Sequence, residues 1–87
     1  METGVPTPGA GVTLQRVGSE AILYDRHNGR AHVINSSAAR IWELCDGHAT
    51  VEEITGAFAA AYALPASDVR ADVASILTTF RELRVLD

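Results

Sequence analysis

Residues 20–35 read EAILYDRHNGRAHVIN, and their pattern decides the fold. Two runs with apolar centres, Glu20–Asp25 and Arg30–Ile34, flank the dipeptide Asn28-Gly29. Asn-Gly is the strongest short signal for a β-hairpin, because both residues tolerate the positive φ of a two-residue type I′ turn. With Asn28 and Gly29 as the loop, His27 pairs with Arg30, Asp25 with His32, Tyr24 with Val33 and Leu23 with Ile34. Apolar residues then meet across the ladder and an acid faces a histidine. Upstream, Val12, Leu14 and Val17 before Gly18-Ser19 mark another short strand. A three-stranded antiparallel meander follows, with the last strand, Arg30–Ile34, at an edge.

After Asn35 the period changes from two to nearly four. Ala38, Ile41, Trp42 and Cys45 recur at i, i+3, i+4 and i+7, the apolar stripe of a helix, with Asn35 or Ser36 as N-cap and Asp46-Gly47 as its stop. Thr50 with Glu53 has capping-box spacing and opens a second helix with an apolar face of Val51, Ile54, Phe58, Ala61 and Tyr62. Leu64-Pro65 breaks it. Ser67-Asp68 caps a third helix carrying Val69, Val73, Ile76, Leu77, Phe80 and Leu83. The expected class is α+β, in the order βββααα.

The chain has 87 residues, enough for one compact unit. Residues 1–11 hold Gly4, Pro6, Pro8, Gly9 and Gly11 and little that is apolar, so they read as a flexible arm, with the domain spanning 12–87. A chain this short removes roughly 63% of its unfolded surface from water, which argues against a deep catalytic cavity and against an enzyme. Eleven acidic residues against seven basic ones give a net charge of -4, and every basic residue is an arginine. The scattered Arg16, Arg26, Arg30, Arg40, Arg70, Arg81 and Arg84 do not make the clustered surface that tracks phosphates, which disfavours nucleic acid. No run reaches the ~18 apolar residues of a membrane span, and no secretory signal is visible. A single cysteine forms no internal disulfide, and the cytoplasm is the default compartment.

The chemical inventory is spare. His27, His32, His48 and Cys45 lack a metal-ligand spacing. Cys45, on the apolar stripe beside Trp42, reads as an inert core thiol, and Trp42 as a core anchor with groove lining as the alternative. Glu52-Glu53 suits a helix start, and Asp68 with Asp72 a solvated face. No phosphate-binding glycine loop is present.

Several segments in order carry a resemblance: Leu23-Tyr24-Asp25, Val33-Ile34-Asn35-Ser36-Ser37-Ala38-Ala39, Ile41-Trp42-Glu43-Leu44-Cys45-Asp46-Gly47, Thr50-Val51-Glu52-Glu53-Ile54 and Asp72-Val73. Over about Val12 to Leu86 the chain resembles the PqqD family, the precursor-peptide recognition element of ribosomal peptide-modification pathways. Two departures stand out: Arg84 where members commonly have a glycine after the third helix, and Ile34 where leucine is frequent.

The resemblance implies a winged helix-turn-helix-like fold and a non-catalytic role without a cofactor. Such a domain captures the leader of a precursor peptide and presents it to a modifying enzyme, often a radical S-adenosylmethionine (SAM) enzyme. It serves the pyrroloquinoline quinone (PQQ) route, lasso-type systems and others. In the family the peptide adds as a strand beside the third strand and lies against the third helix. Carried to this chain, the site comprises Arg30, Ala31, His32, Val33 and Ile34 with Val69, Arg70, Val73, Ile76, Leu77 and Phe80. Ala31 and Val33 share one face and His32 and Ile34 the other, with the groove-facing side open. Core packing accounts equally for Val73, Ile76 and Phe80, whereas Arg30, His32 and Arg70 suit contacts to an acidic leader. The competing readings are a DNA-binding winged helix and a module that only steadies a larger enzyme.

Overall fold

A computed structural model describes residues 5–87. Its elements run β1 (Val12–Val17), β2 (Glu20–Asp25), β3 (Arg30–Asn35), α1 (Ser36–Leu44), α2 (Val51–Ala61) and α3 (Ala66–Glu82). The strands form one antiparallel sheet in the order β1-β2-β3, so β3 is an edge, and the βββααα order matches the expectation.

The β2–β3 register differs from the two-residue turn read in the sequence. Asp25 pairs with Arg30, Leu23 with His32 and Ala21 with Ile34, leaving Arg26–Gly29 as a four-residue loop. The cause is local. The Asp25 carboxylate accepts from Asn28 Nδ2 at 2.7 Å and from the Asn28 backbone N–H at 3.2 Å, and only Gly29 takes a positive φ, 64°. An aspartate that captures the backbone three residues on competes with the type I′ geometry. The displacement is two residues, so every side chain keeps the face that alternation gave it.

One face of the sheet carries Val12, Leu14, Arg16, Ala21, Leu23, Asp25, Arg30, His32 and Ile34, and α1 packs on that face. Asn35 Oδ1 accepts from Ala38 N at 2.8 Å and starts the helix. From α1, Glu43 receives a bidentate pair from Arg16 of β1 at 2.9 and 3.2 Å. Helix α2 opens with the expected capping box, Glu53 N to Thr50 Oγ1 at 3.1 Å and Thr50 N to Glu53 Oε1 at 2.8 Å. Its buried face is Ile54, Thr55, Phe58 and Ala59; the expected Ala61 and Tyr62 are exposed. Thr55 tolerates burial because its hydroxyl donates to Val51 O at 2.8 Å. Helix α3 starts from Pro65 with no side-chain cap, in place of Ser67-Asp68, and packs on α2 and α1.

Leu23, Ile41, Ile54, Val73, Leu77, Phe80 and Val85 are fully buried. Each such side chain stabilises the fold by ~1.5–3 kcal/mol through burial. Trp42 is a core residue, its ring meeting Phe80 edge-on at 5.5 Å.

The segment read as a flexible arm behaves differently from Val5 onward; residues 1–4 lie outside the described residues. Pro6 is buried, and its carbonyl accepts from Gly47 N at 3.2 Å. Gly9 N donates to Val85 O at 2.8 Å, and Asp87 N to Thr7 O at 2.8 Å. This strap pairs with the C-terminal tail and fixes the end of α3. Its order comes from backbone hydrogen bonds, which apolar periodicity does not report.

Candidate functional site

The open edge of β3 can be resolved residue by residue. Arg26 N donates to Gly11 O at 3.1 Å, continuing the ladder in which Glu20, Ile22 and Tyr24 bond toward β1. In an antiparallel sheet the bonding direction alternates along a strand, so Ala21, Leu23 and Asp25 bond toward β3, to Ile34, His32 and Arg30. The N–H and C=O groups of Ala31 and Val33 therefore point away from the sheet. Their side chains lie on the face opposite α1, with Val33 66% exposed.

Arg30, His32 and Ile34 point to the helical side. Ile34 packs partly buried against the core, and Arg30 is exposed. His32 is half-buried beside Leu23, and its Nε2 is buried with no hydrogen-bond partner among the described residues. The helical side of β3 is thus the side of His32 and Ile34.

Helix α3 divides by angle around its axis. Val69, Val73, Leu77 and Phe80 are at most 3% exposed and belong to the core. Arg70 turns toward α2, where Nη1 donates to both Glu52 oxygens at 2.6 and 2.7 Å. At 100° per residue, Ile76 and Leu83 share the opposite flank, two turns apart, and both are partly buried. Of the six α3 residues expected at the site, Ile76 alone has this position. Leu83 was missed as a site residue, although its place on the same stripe as Ile76 was readable.

The two sides meet in a cleft of about 350 Å³ lined by Asn28, Arg30, Glu82, Leu83 and Arg84. It lies between the start of β3 and the end of α3. That helix ends in a Schellman motif, Val85 N to Phe80 O at 3.1 Å and Arg84 N to Arg81 O at 3.0 Å. Arg84 takes the left-handed position at φ 62°, so the stop that glycine ordinarily makes survives the departure at this residue.

Cys45 and Asp25 are engaged within the fold. Burial pushes the Cys45 thiol up to about 11, and Sγ donates to Ile41 O at 3.2 Å. The hydrogen bond from the Asn28 side chain holds Asp25 below the usual carboxylate range. Among the described residues, no group of three or more His, Cys, Asp or Glu is arranged to hold a metal ion. Nor is any helix among them long and apolar enough to cross a membrane.

Residues 20–86 match the family model described as Coenzyme PQQ synthesis protein D (PqqD). No curated protein matches significantly. A solved structure, "TbiB1 in Complex with the TbiA(beta) Leader Peptide", superposes with a TM-score of 0.79 at 22% sequence identity, covering 93% of this chain and 94% of that one. At that identity the likeness is one of fold.

Proposed function

The chain belongs to the PqqD family, and on that premise we propose that it is a non-catalytic peptide-binding adaptor. It captures the leader segment of a ribosomally made precursor peptide as an added strand on β3 and presents the remainder to a modifying enzyme, such as a radical SAM protein. The observation that carries this reading is the β3 edge at Ala31 and Val33, which has no strand beside it among the described residues, with a cleft where the start of β3 meets the end of α3. Main-chain bonds along such an edge supply affinity that is nearly independent of sequence, and the side chains beside it supply selectivity. The solved relative in fold, TbiB1, is itself described in complex with a leader peptide, which supports a leader peptide as the ligand here. Within the groove, Ala31 and Val33 contribute main-chain groups, Ile34, Ile76 and Leu83 apolar surface, and His32 and Arg30 polar contacts. Val69, Val73, Leu77 and Phe80 hold the groove's floor from within the core, and Arg70 fastens α3 to α2.

The test is a titration of isotope-labelled protein with the product of any short peptide gene adjacent to its own. Amide resonances of Arg30–Asn35 and of Ile76–Arg84 should move, while those of β1 stay. A peptide that binds and moves β1 instead overturns the assignment.

A further inference from the structure

We propose that the cleft between the start of β3 and the end of α3 is a subsite for the side-chain carboxylate of an aspartate or glutamate in the bound peptide. The inference rests on the peptide-adaptor reading and adds what the peptide must carry. Arg30 and Arg84 both line this cleft, against the single acid Glu82, so it holds a local excess of positive charge in a chain of net charge -4. Among the described residues, ion pairs engage Arg16, Arg40 and Arg70; neither Arg30 nor Arg84 has a carboxylate within 4.0 Å or donates a side-chain hydrogen bond. Two arginines that line one concavity are therefore without a side-chain partner among the described residues, and the guanidinium fork matches a carboxylate in a bidentate fashion.

The backbone positions of both arginines are fixed. Arg30 is set by its pairing with Asp25, and Arg84 by the Schellman bonds on one side and by Val85, bonded to Gly9, on the other. A peptide strand on Ala31 and Val33 advances ~3.3 Å per residue and passes this cleft within a residue or two of Ala31. The carboxylate thus belongs at one end of the strand-forming segment, next to the residues that meet Ile76 and Leu83.

Ala63 provides an internal control. It ends α2 in the same way, at φ 55° with Leu64 N to Ala59 O at 2.9 Å, but lies outside the cleft lining. Glycine at either position relieves the left-handed backbone, so Ala63→Gly and Arg84→Gly should each raise Tm by about 4–8 °C. Only the second should alter recognition.

The experiment selects random dodecapeptides from a displayed library on the full chain, then synthesises the best binder with an amidated C-terminus in its acidic form and with the acid changed to the matching amide. We expect an aspartate or glutamate at a fixed place among selected peptides, and about tenfold weaker binding of the amide form to the unmodified protein. Arg84→Gly and Arg30→Gln should bind both forms alike, while Ala63→Gly keeps the preference. Equal affinity for the acidic and amide forms, or a preference that survives Arg84→Gly, overturns the subsite and leaves the adaptor reading standing. A library that yields no binder to the β3 edge overturns both.

Discussion

His32 of β3 stands directly across the ladder from Leu23, a fully buried residue, and yet its Nε2 is buried without a partner among the described residues. A polar atom left in this state costs ~1–3 kcal/mol, whereas an apolar group of similar shape does not. His32→Leu should therefore melt at the same temperature as the parent or higher. Its affinity for the leader peptide should fall, because the ring is one of the two polar side chains, with Arg30, that the proposed groove takes from β3. A lower Tm with unchanged affinity would show that the ring serves packing alone.

Proline substitution separates the two directions of bonding along β3. At Val33 it removes an N–H that points out of the sheet, and an edge position tolerates the ring. At His32 it removes an N–H that bonds to Leu23. Thermal melts should place Val33→Pro within ~1 kcal/mol of the parent and His32→Pro well below it. Calorimetric titration should find Val33→Pro at least tenfold weaker for the peptide. A larger loss of stability in Val33→Pro than in His32→Pro would mean that Val33, and not His32, bonds toward β2.

Cys45 should behave as a protected thiol. Burial raises its pKa to about 11 from an ordinary 9.0, so the reactive thiolate is scarce at neutral pH. A thiol reagent should label the native protein at a rate set by unfolding, and urea should abolish the protection. Because the folded pKa is the higher one, the associated stability is intact below pH 9.0 and declines between there and about 11. Cys45→Ser should introduce a buried hydroxyl and flatten this alkaline decline.

At the acid end the sign reverses. Asp25, held low chiefly by the Asn28 side chain, and Glu43, held low chiefly by the hydrogen bond from Arg16, are both depressed in the folded state. Their contribution is present above the ordinary values of 3.8 and 4.5 and is lost as the pH falls through the lower folded values. Tm measured from pH 6 downward should hold until about 4.5 and then fall. Asn28→Ala should make that fall shallower, by returning Asp25 toward its ordinary range. An acid limb identical to the parent's would show that the loop contact is not formed in solution.

Most of the fold was legible because periodicity reports burial. The change of period at Asn35 located the start of α1, and Thr50 with Glu53 located α2. What escaped had other causes. The four-residue loop depends on the Asp25 carboxylate accepting from Asn28, and the strap depends on main-chain bonds in which Gly9 N donates to Val85 O and Thr7 O accepts from Asp87 N. At the site, β3 was legible as an edge. The apolar stripe of α3 was not divisible, since a stripe does not distinguish Val73 and Leu77, sealed in the core, from Ile76 and Leu83 at its margin. That division needs the position of α2, which Arg70 marks by reaching Glu52.

Amide hydrogen exchange along β3 tests the central claim most directly. In the free protein His32 and Ile34 should exchange slowly, because their N–H groups bond to β2, while Ala31 and Val33 exchange quickly. Saturation with the precursor peptide should slow Ala31 and Val33 to the rate of their neighbours, as an added strand takes up their N–H groups. Peptide binding that leaves Ala31 and Val33 exchanging as fast as before would contradict strand addition at this edge.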